Sequence, residues 1–196
     1  MRTRDTNKIE IVKKNAVKML VKHGIEGFGM NRLAKESGIS VATLYIYYAD
    51  KDDLIKKIGI EIGKNFFASM LKDISADMPF VEGLRKQWQN RARFMMENMD
   101  EVACFEILQN SSYSEYITNE SLKDFKNTMV HFFQNAMDRK ELVAVSKDVF
   151  WSIAYGPLYS LLRFHNRGKS LGETPFTLTP EIQEQAFELV IKALTP

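Results

Sequence analysis

The stretch LAKESGISVATLYIYYADKDDL, residues 33–54, decides the fold because it contains a tight turn between two short amphipathic segments. Ala34 is small enough to lie where two helices cross, and Gly38 can adopt the positive φ that ends the first of them. Ser40, two residues later, is a good amino-terminal cap for a second helix. The spacing therefore predicts a helix-turn-helix.

The second helix of such a motif faces outward and can reach base edges in the major groove of DNA. Leu44 and Tyr48 are four residues apart and are expected to face the core. Tyr45 and Tyr47 fall at the flanks, where a phenol can reach a phosphate. The residues predicted to contact DNA are Val41, Ala42, Thr43, Tyr45, Ile46, Tyr47 and Lys51.

A helical hairpin that never touches nucleic acid would show the same periodicity and the same glycine turn. The charge distribution adds a modest signal, because residues 1–57 contain 12 Lys and Arg against 7 Asp and Glu, and residues 58–196 contain 15 against 18. A basic amino-terminal part suggests that only this part meets a polyanion, with a solvated basic face as the alternative. These patterns alone leave both interpretations open.

Residues 8–58 resemble the amino-terminal DNA-binding domain of the tetracycline-repressor (TetR) family of bacterial transcription regulators. The resemblance rests on LAKESGIS, residues 33–40, on TLYIYYADKDDL, residues 43–54, and on the amphipathic helix before them. It favours DNA binding over the hairpin. It also implies that Thr43, Tyr45, Tyr47 and Lys51 match sites that contact the DNA backbone or bases, and that Val41, Ala42 and Ile46 match recognition-helix sites.

The chain departs from the family pattern at three positions. Gly29 stands where the family often has a threonine before the first short helix. Val41 and Ile46 are aliphatic where polar or basic residues are frequent. Because aliphatic side chains can touch thymine methyl groups but cannot form hydrogen bonds, we expect sparse base readout.

Apolar residues recur at spacings of three and four through nearly the whole chain, which predicts an all-α fold. With the resemblance, the expected organisation is a three-helix helix-turn-helix domain, residues 1–55, and a larger ligand-binding and dimerisation domain, residues 56–196. The polar run NSSYSEYITN, residues 110–119, is predicted to be a loop or a frayed turn. About nine helices are predicted, over residues 6–23, 30–37, 41–48, 51–74, 80–98, 101–109, 119–140, 147–166 and 180–194.

Helix boundaries are marked by local signals. Gly24 is expected to end the first helix as a left-handed cap. Asp50 is expected to cap the long helix that follows it, with Asp53 reaching back in a capping-box arrangement. Thr179 is expected to cap the last helix, with Pro180 at its first position.

The resemblance implies that the larger domain dimerises and binds a small molecule, which changes the spacing of two DNA-reading helices. We favour the last two helices as the dimer interface, because VFWSIAYGPLYSLLRF, residues 149–164, is apolar around much of its circumference. Gly156 and Pro157 are expected to kink this helix. A central core helix in a monomer is the alternative.

The abundance of Met and Phe suggests an adaptable, largely apolar effector pocket. Plain core is the alternative for each candidate lining residue, and aromatic and Met residues at helical spacing are more often core than pocket. Arg91, Gln109, His131 and Asn135 are candidates for a polar contact, with solvent exposure as the alternative for each. The predicted lining residues are Phe67, Met70, Trp88, Met95, Met99, Met129, Phe133 and Tyr155.

Other site chemistries are not supported by the sequence. Cys104 lies among apolar neighbours and is predicted to be a buried thiol. A single cysteine cannot form a disulfide within the chain, which is consistent with a reducing compartment. The three histidines are far apart, so no metal is predicted, and we expect no catalytic residues and no cofactor. There is no apolar signal segment and no run long enough for a membrane span, so a cytoplasmic protein is expected.

The predicted function is a DNA-binding transcriptional regulator that acts as a homodimer. We expect a repressor that a small, largely apolar effector releases from its operator. One alternative is a helix-turn-helix protein without an effector. A small helical enzyme is the other, although no nucleophile and base, paired carboxylates or phosphate-binding glycine loop is present in the sequence.

Overall fold

The computed structural model describes the backbone of residues 2–196 and the side chains of residues 7–196. Within this range the secondary structure is helical, and the only bridge outside the helices joins Lys169 to Pro175. The all-α prediction is therefore confirmed, with ten helices where about nine were predicted. They are α1 (Arg2–His23), α2 (Met30–Glu36), α3 (Val41–Tyr47), α4 (Lys51–Met70), α5 (Phe80–Glu97), α6 (Met99–Gln109), α7 (Ser114–Ser121), α8 (Lys123–Asp138), α9 (Lys147–Arg167) and α10 (Pro180–Leu194).

The additional helix is α7, which lies where the sequence predicted a loop or a frayed turn. That prediction is wrong for residues 114–119. Ile117 of α7 is completely buried, and the Ser121 hydroxyl donates a 2.6 Å hydrogen bond to the Ile117 carbonyl. A short polar helix gains most of its stability from packing rather than from propensity, so the buried isoleucine accounts for a helix that composition does not predict.

Three other boundaries differ from the predicted ones. α1 begins at Arg2 rather than near residue 6, α4 ends at Met70 rather than near residue 74, and α8 begins at Lys123 rather than near residue 119. The remaining helices lie within a few residues of their predicted ranges, as expected where apolar periodicity is strong.

The chain forms two compact units. The first contains residues up to 65 together with 98–122, so α6 and α7 share a core with the helix-turn-helix. Cys104 is completely buried in this core, as predicted, and burial raises the pKa of its thiol to about 12. Other fully buried members of this core are Ala16, Leu20, Leu33, Leu44, Leu54, Ile55, Leu108 and Ile117.

Two glycines on α4 let α6 and α7 pack closely against it. A Cβ added to Gly59 would overlap the Ile117 side chain. A Cβ added to Gly63 would lie 2.6 Å from Ser121 Oγ and 2.8 Å from Ser121 Cβ. Since real Cβ atoms do not approach other heavy atoms so closely, these positions leave no room for a side chain.

The second compact unit contains residues 66–97 and 123–196. Here α9 packs against α10 and α5. The indole Nε1 of Trp88 donates a 2.7 Å hydrogen bond to the Ala154 carbonyl, and its ring meets that of Phe187 edge to face at 5.3 Å. α9 is one helix across Pro157.

The predicted helix caps are present. Gly24 has a φ of 66°, and its N–H donates to the Leu20 carbonyl at 2.8 Å. The Thr179 hydroxyl accepts a hydrogen bond from the Ile182 N–H, with Pro180 at the first helical position. These caps confirm the sequence signals at the end of α1 and the start of α10.

The compact units divide the chain differently from the predicted boundary between residues 55 and 56. A compact unit is a set of helices that share a core, whereas a functional domain is defined by what it binds, so the two boundaries need not coincide. The functional boundary therefore stays a prediction. None of the helices described is long and apolar enough to cross a membrane.

Candidate DNA-binding surface

The turn between α2 and α3 has the predicted geometry. Gly38 has a φ of 66°, a conformation that only glycine adopts without strain. The Gly38 N–H donates to the Lys35 carbonyl at 3.2 Å, and the Ile39 N–H donates to the Ala34 carbonyl at 3.1 Å. This pair of bonds is a Schellman motif, and it ends α2 so that the chain can turn into α3.

Ser40 caps α3 as predicted. Its hydroxyl accepts a 3.1 Å hydrogen bond from the Thr43 N–H and lies 2.8 Å from the Thr43 hydroxyl. The Thr43 side chain is therefore partly occupied by the cap, which holds its hydroxyl at the start of the helix.

One face of α3 is buried and the other is open. Leu44 is 0% exposed and Tyr48, just after the helix, is 5% exposed, so both face the core as predicted. Tyr45 is 51% and Ile46 is 76% exposed. An isoleucine so accessible on a short, well-capped helix presents apolar surface to solvent that a partner could cover.

The other predicted contact residues lie at the edges of this face. Ala42 is exposed, while Val41 and Tyr47 are partly buried and pack against the core of the first unit. The structure therefore exposes Ala42, Tyr45 and Ile46 on α3, while the core partly covers Val41 and Tyr47.

Lys51 is the first residue of α4, and its ammonium group donates a 2.8 Å hydrogen bond to the Ile25 carbonyl in the loop after α1. The sequence did not predict this contact. Because an ammonium group has three N–H donors, two remain for another acceptor. The contact ties the start of α4 to the α1–α2 connection.

The start of α4 is capped by Asp50 as predicted, and Asp53 reaches back as predicted but to the N–H of Ala49, one residue before the cap. The Asp53 N–H donates to Asp50 Oδ1 at 2.7 Å, and Asp53 Oδ2 accepts from the Ala49 N–H at 2.9 Å. The ammonium group of Lys57 lies 2.8 Å from the same Asp53 oxygen, and this hydrogen bond, followed by that from Ala49, lowers the pKa of Asp53. The negative charge lies at the positive end of the helix dipole.

Two positioning residues were missed by sequence reasoning. Lys57 also donates to the Tyr47 carbonyl at 3.2 Å, which joins the end of α3 to α4. The spacing of Lys57 from Asp53 could have indicated a pair within the helix, but not the contact with α3. Asn15 of α1 donates to the Glu36 carbonyl at 3.0 Å, and nothing in the sequence marks this bond.

The predicted effector residues do not all lie in one compact unit. Met99 begins α6 in the first unit and is 52% exposed. The other seven belong to the second unit, where Met70, Trp88 and Tyr155 are almost completely buried. Among the four polar candidates, Arg91 is buried, His131 is exposed, Gln109 belongs to the first unit, and Asn135 donates to the Ala76 carbonyl at 3.0 Å.

Solved structures with the same fold are found among transcription regulators. A TetR family transcription regulator from Marinobacter aquaeolei VT8 has a TM-score of 0.81 over 99% of this chain and 98% of its own, at 24% identity. The transcriptional regulator FadR from Bacillus subtilis, in complex with stearoyl-CoA, has a TM-score of 0.71 over 93% and 97% of the two chains, at 15% identity.

Sequence comparison points to the same class. An uncharacterized HTH-type transcriptional regulator of Haemophilus influenzae is 27% identical over 99% of both chains. A family model described as "Bacterial regulatory proteins, tetR family" matches residues 14–58, the segment that contains the turn at Gly38 and the cap at Ser40. Residues 14–58 therefore contain the DNA-binding domain of the tetR family of bacterial regulatory proteins, and the chain as a whole is similar to DNA-binding transcriptional regulators.

Proposed function

We propose that this regulator is a homodimeric repressor that leaves its operator when a small, largely apolar effector binds. In this proposal residues 1–55 bind DNA, and residues 56–196 bind the effector and hold the dimer together in the cytoplasm. The observation that carries it is the open face of α3, which presents Tyr45 and Ile46 beside a firmly capped helix start.

The residues of α3 and α4 have separate roles in this proposal. Val41, Ala42, Thr43 and Ile46 face base edges in the major groove. Tyr45, Tyr47 and Lys51 contact phosphates. Support comes from Lys51, which is held in place by the Ile25 carbonyl and keeps two N–H donors for a phosphate oxygen.

The effector site belongs to the second compact unit, which is rich in aromatic and methionine side chains. The FadR structure with stearoyl-CoA supports a ligand with a long apolar body, since it has the same fold. Residues 51–65 of α4 belong to the first unit and residues 66–70 to the second, so one helix serves both. An effector that shifts α4 would lower DNA affinity, and by linkage DNA would lower effector affinity.

The dimer interface is proposed to consist of α9 and α10. These helices pack against each other, and Val149 is 47%, Trp151 41% and Leu189 62% exposed on them. Apolar side chains accessible on adjacent helices suit a self-complementary interface. Two copies of α3 must then lie about 34–36 Å apart, or a small multiple of this, to read successive major grooves.

DNA binding by the proposed residues can be tested by mobility shift on the region upstream of the gene, over a series of salt concentrations. Lys51→Met should weaken binding and reduce the slope of log affinity against log salt by about 1, because one phosphate contact is lost. Tyr47→Phe should weaken binding and leave the helix content unchanged.

The matched control is Lys64→Met, which removes an exposed lysine later on α4. It should bind as the wild type does. If Lys51→Met lowers affinity with an unchanged salt slope, Lys51 acts only through Ile25 and touches no phosphate. Equally weak binding by wild type and variants at moderate salt would remove these residues from the DNA surface.

A helix-turn-helix protein whose second unit binds no effector is the alternative. A thermal-shift screen over fatty acids, acyl thioesters, aromatic drugs and dyes separates the two, since a ligand that prefers the folded state raises apparent stability. Stabilisation by one class, with loss of operator binding at the same concentrations, is the expected result. No stabilisation by any class would favour the alternative.

A further inference from the structure

The second compact unit contains a buried arginine without a counter-ion. Arg91 of α5 is 0% exposed, and its Nε, Nη1 and Nη2 atoms have no hydrogen-bond acceptor in the structure. Three aromatic rings surround the guanidinium carbon, at 4.0 Å from the ring centroid of Tyr155, 5.4 Å from that of Trp151 and 5.5 Å from that of Phe125.

This arrangement is unusual because a guanidinium stays protonated and carries five N–H donors. Buried charges in proteins are normally paired, and cation–π contacts satisfy the face of the group but none of its N–H bonds. Two accessible arginines of the unit do have such partners, since Arg85 forms a salt bridge with Glu184 and Arg139 with Glu141. No described carboxylate forms one with Arg91.

Two further buried polar atoms lie on the helices that form this site. The Tyr155 hydroxyl is buried and has no hydrogen-bond partner. Burial raises its pKa to about 12, so it stays protonated and able to donate. Gln87 precedes Arg91 by one turn of α5, and its Oε1 is also unpaired, while its Nε2 is fixed by a 2.7 Å hydrogen bond to the Met70 carbonyl.

We propose that Arg91 binds the carboxylate of the effector, and that the Tyr155 hydroxyl donates a further hydrogen bond to it. The Tyr155 ring contacts the guanidinium without accepting its N–H groups, and a planar carboxylate can accept two of these in parallel hydrogen bonds. The effector is therefore a carboxylic acid with an apolar body. This inference rests on the proposed function and specifies its ligand.

The side chains around Arg91 and Tyr155 indicate that the rest of the effector is apolar. The rings of Trp151 and Phe150 lie within 6.2 Å of that of Tyr155, and Met95 and Met129 of the same unit are buried. These neighbouring side chains offer mainly aromatic and thioether surface to a ligand. A hydrophilic anion such as citrate would leave its other polar groups without partners.

The test is calorimetric titration of the full-length protein with matched acids and alcohols. The pairs are decanoate with decan-1-ol, each below its aggregation limit, and 2-naphthoate with 2-naphthalenemethanol. At least one acid should bind about tenfold or more tightly than its alcohol, because only the acid can pair with Arg91. Decyl phosphate binding more tightly than decanoate would overturn the choice of a carboxylate.

Variants at Arg91 and Tyr155 test whether these residues cause the preference for the acid over the alcohol. Arg91→Met has a similar volume without the charge and should reduce the preference for the acid to about threefold or less. Tyr155→Phe should weaken acid binding by a smaller factor. Arg93→Met, at an exposed position two residues along α5, should bind like the wild type. If Arg91→Met does not fold, the acid and alcohol comparison on the wild type decides.

Failure of the inference and failure of the proposed function give different results. Equal binding of acids and alcohols, or an unchanged preference in a folded Arg91→Met, would make Arg91 a structural residue. No binding of either acid, with operator binding intact, would also overturn the site. Acid binding that depends on Arg91 but leaves operator affinity unchanged would uphold the site and reject regulation by an effector.

Discussion

At the scale of single residues, Ile46 has the most informative position on the proposed DNA surface. It is 76% exposed, and it makes little contribution to the core. An aliphatic side chain there can pack on a thymine methyl but can neither donate nor accept a hydrogen bond. The contribution of Ile46 to DNA binding should therefore depend on the DNA sequence.

Ile46→Ala should change sequence preference more than nonspecific affinity. The free energy of unfolding should change by no more than about 0.5 kcal/mol, because the site is exposed. Selection from random duplexes, followed by titration of the selected and a scrambled duplex, measures both effects. Val130→Ala, at an exposed position on α8, is the control. An unaltered selected sequence would mean that Ile46 reads no base.

At the scale of elements, the start of α4 depends on a charged cap. Asp53 accepts hydrogen bonds from Lys57 and from the Ala49 N–H, and these lower its pKa below the ordinary 3.8. The folded state therefore binds a proton less readily than the unfolded chain. The resulting stabilisation is fully present above pH 3.8 and is lost as the pH falls through the folded-state pKa.

Asp53→Asn should lower the melting temperature at neutral pH, and the difference from wild type should shrink as the pH falls below 3.8. Thermal unfolding followed by circular dichroism over a pH series measures this. Glu120→Gln, at an exposed position on α7, should show no such pH-dependent difference. If the difference in melting temperature between Asp53→Asn and wild type stays constant down to acid pH, the lower stability of the variant comes from the amide group and not from the lost charge.

The packing of α7 against α4 leads to a second prediction at this scale. Gly63→Ala would push a Cβ against Ser121, and relieving the overlap should lower the free energy of unfolding by about 1–3 kcal/mol. Denaturant unfolding measures the change. Gly172→Ala is the control, because a Cβ there meets nothing within 4 Å. Equal stability of the two variants would show that α7 moves without cost.

At the scale of the whole molecule, oligomeric state decides whether two copies of α3 can read one operator. Leu189 is 62% exposed on α10, the helix that packs against α9. The buried centre of an interface is apolar, and a carboxylate there would be left without water or a partner. A single charged substitution at Leu189 should therefore dissociate the dimer.

Leu189→Glu should convert the dimer to a monomer and weaken operator binding, while the helix content is retained. Light scattering after size exclusion measures the mass. Leu171→Glu is a stringent control, because Leu171 is 85% exposed in the loop after α9 and should tolerate the charge. A dimer that survives Leu189→Glu would place the interface elsewhere.

The sequence by itself determined the features that depend on contacts within a few residues. The turn at Gly38, the caps at Ser40 and Asp50 and the inward positions of Leu44 and Tyr48 all follow from local spacing. A positive φ, a capping hydrogen bond and a helical repeat involve neighbours along the chain. For that reason the all-α fold and the helix-turn-helix could be predicted.

Only the tertiary structure decided features that join distant segments. α7 is helical because Ile117 fills space beside Gly59, and Lys51 is held by a carbonyl from the loop after α1. From the sequence, Arg91 could be either a polar contact in the pocket or a solvated side chain. The structure shows three aromatic rings around its guanidinium. Burial and the presence or absence of a counter-ion depend on which remote side chains the fold brings together, and no local pattern in the sequence encodes this.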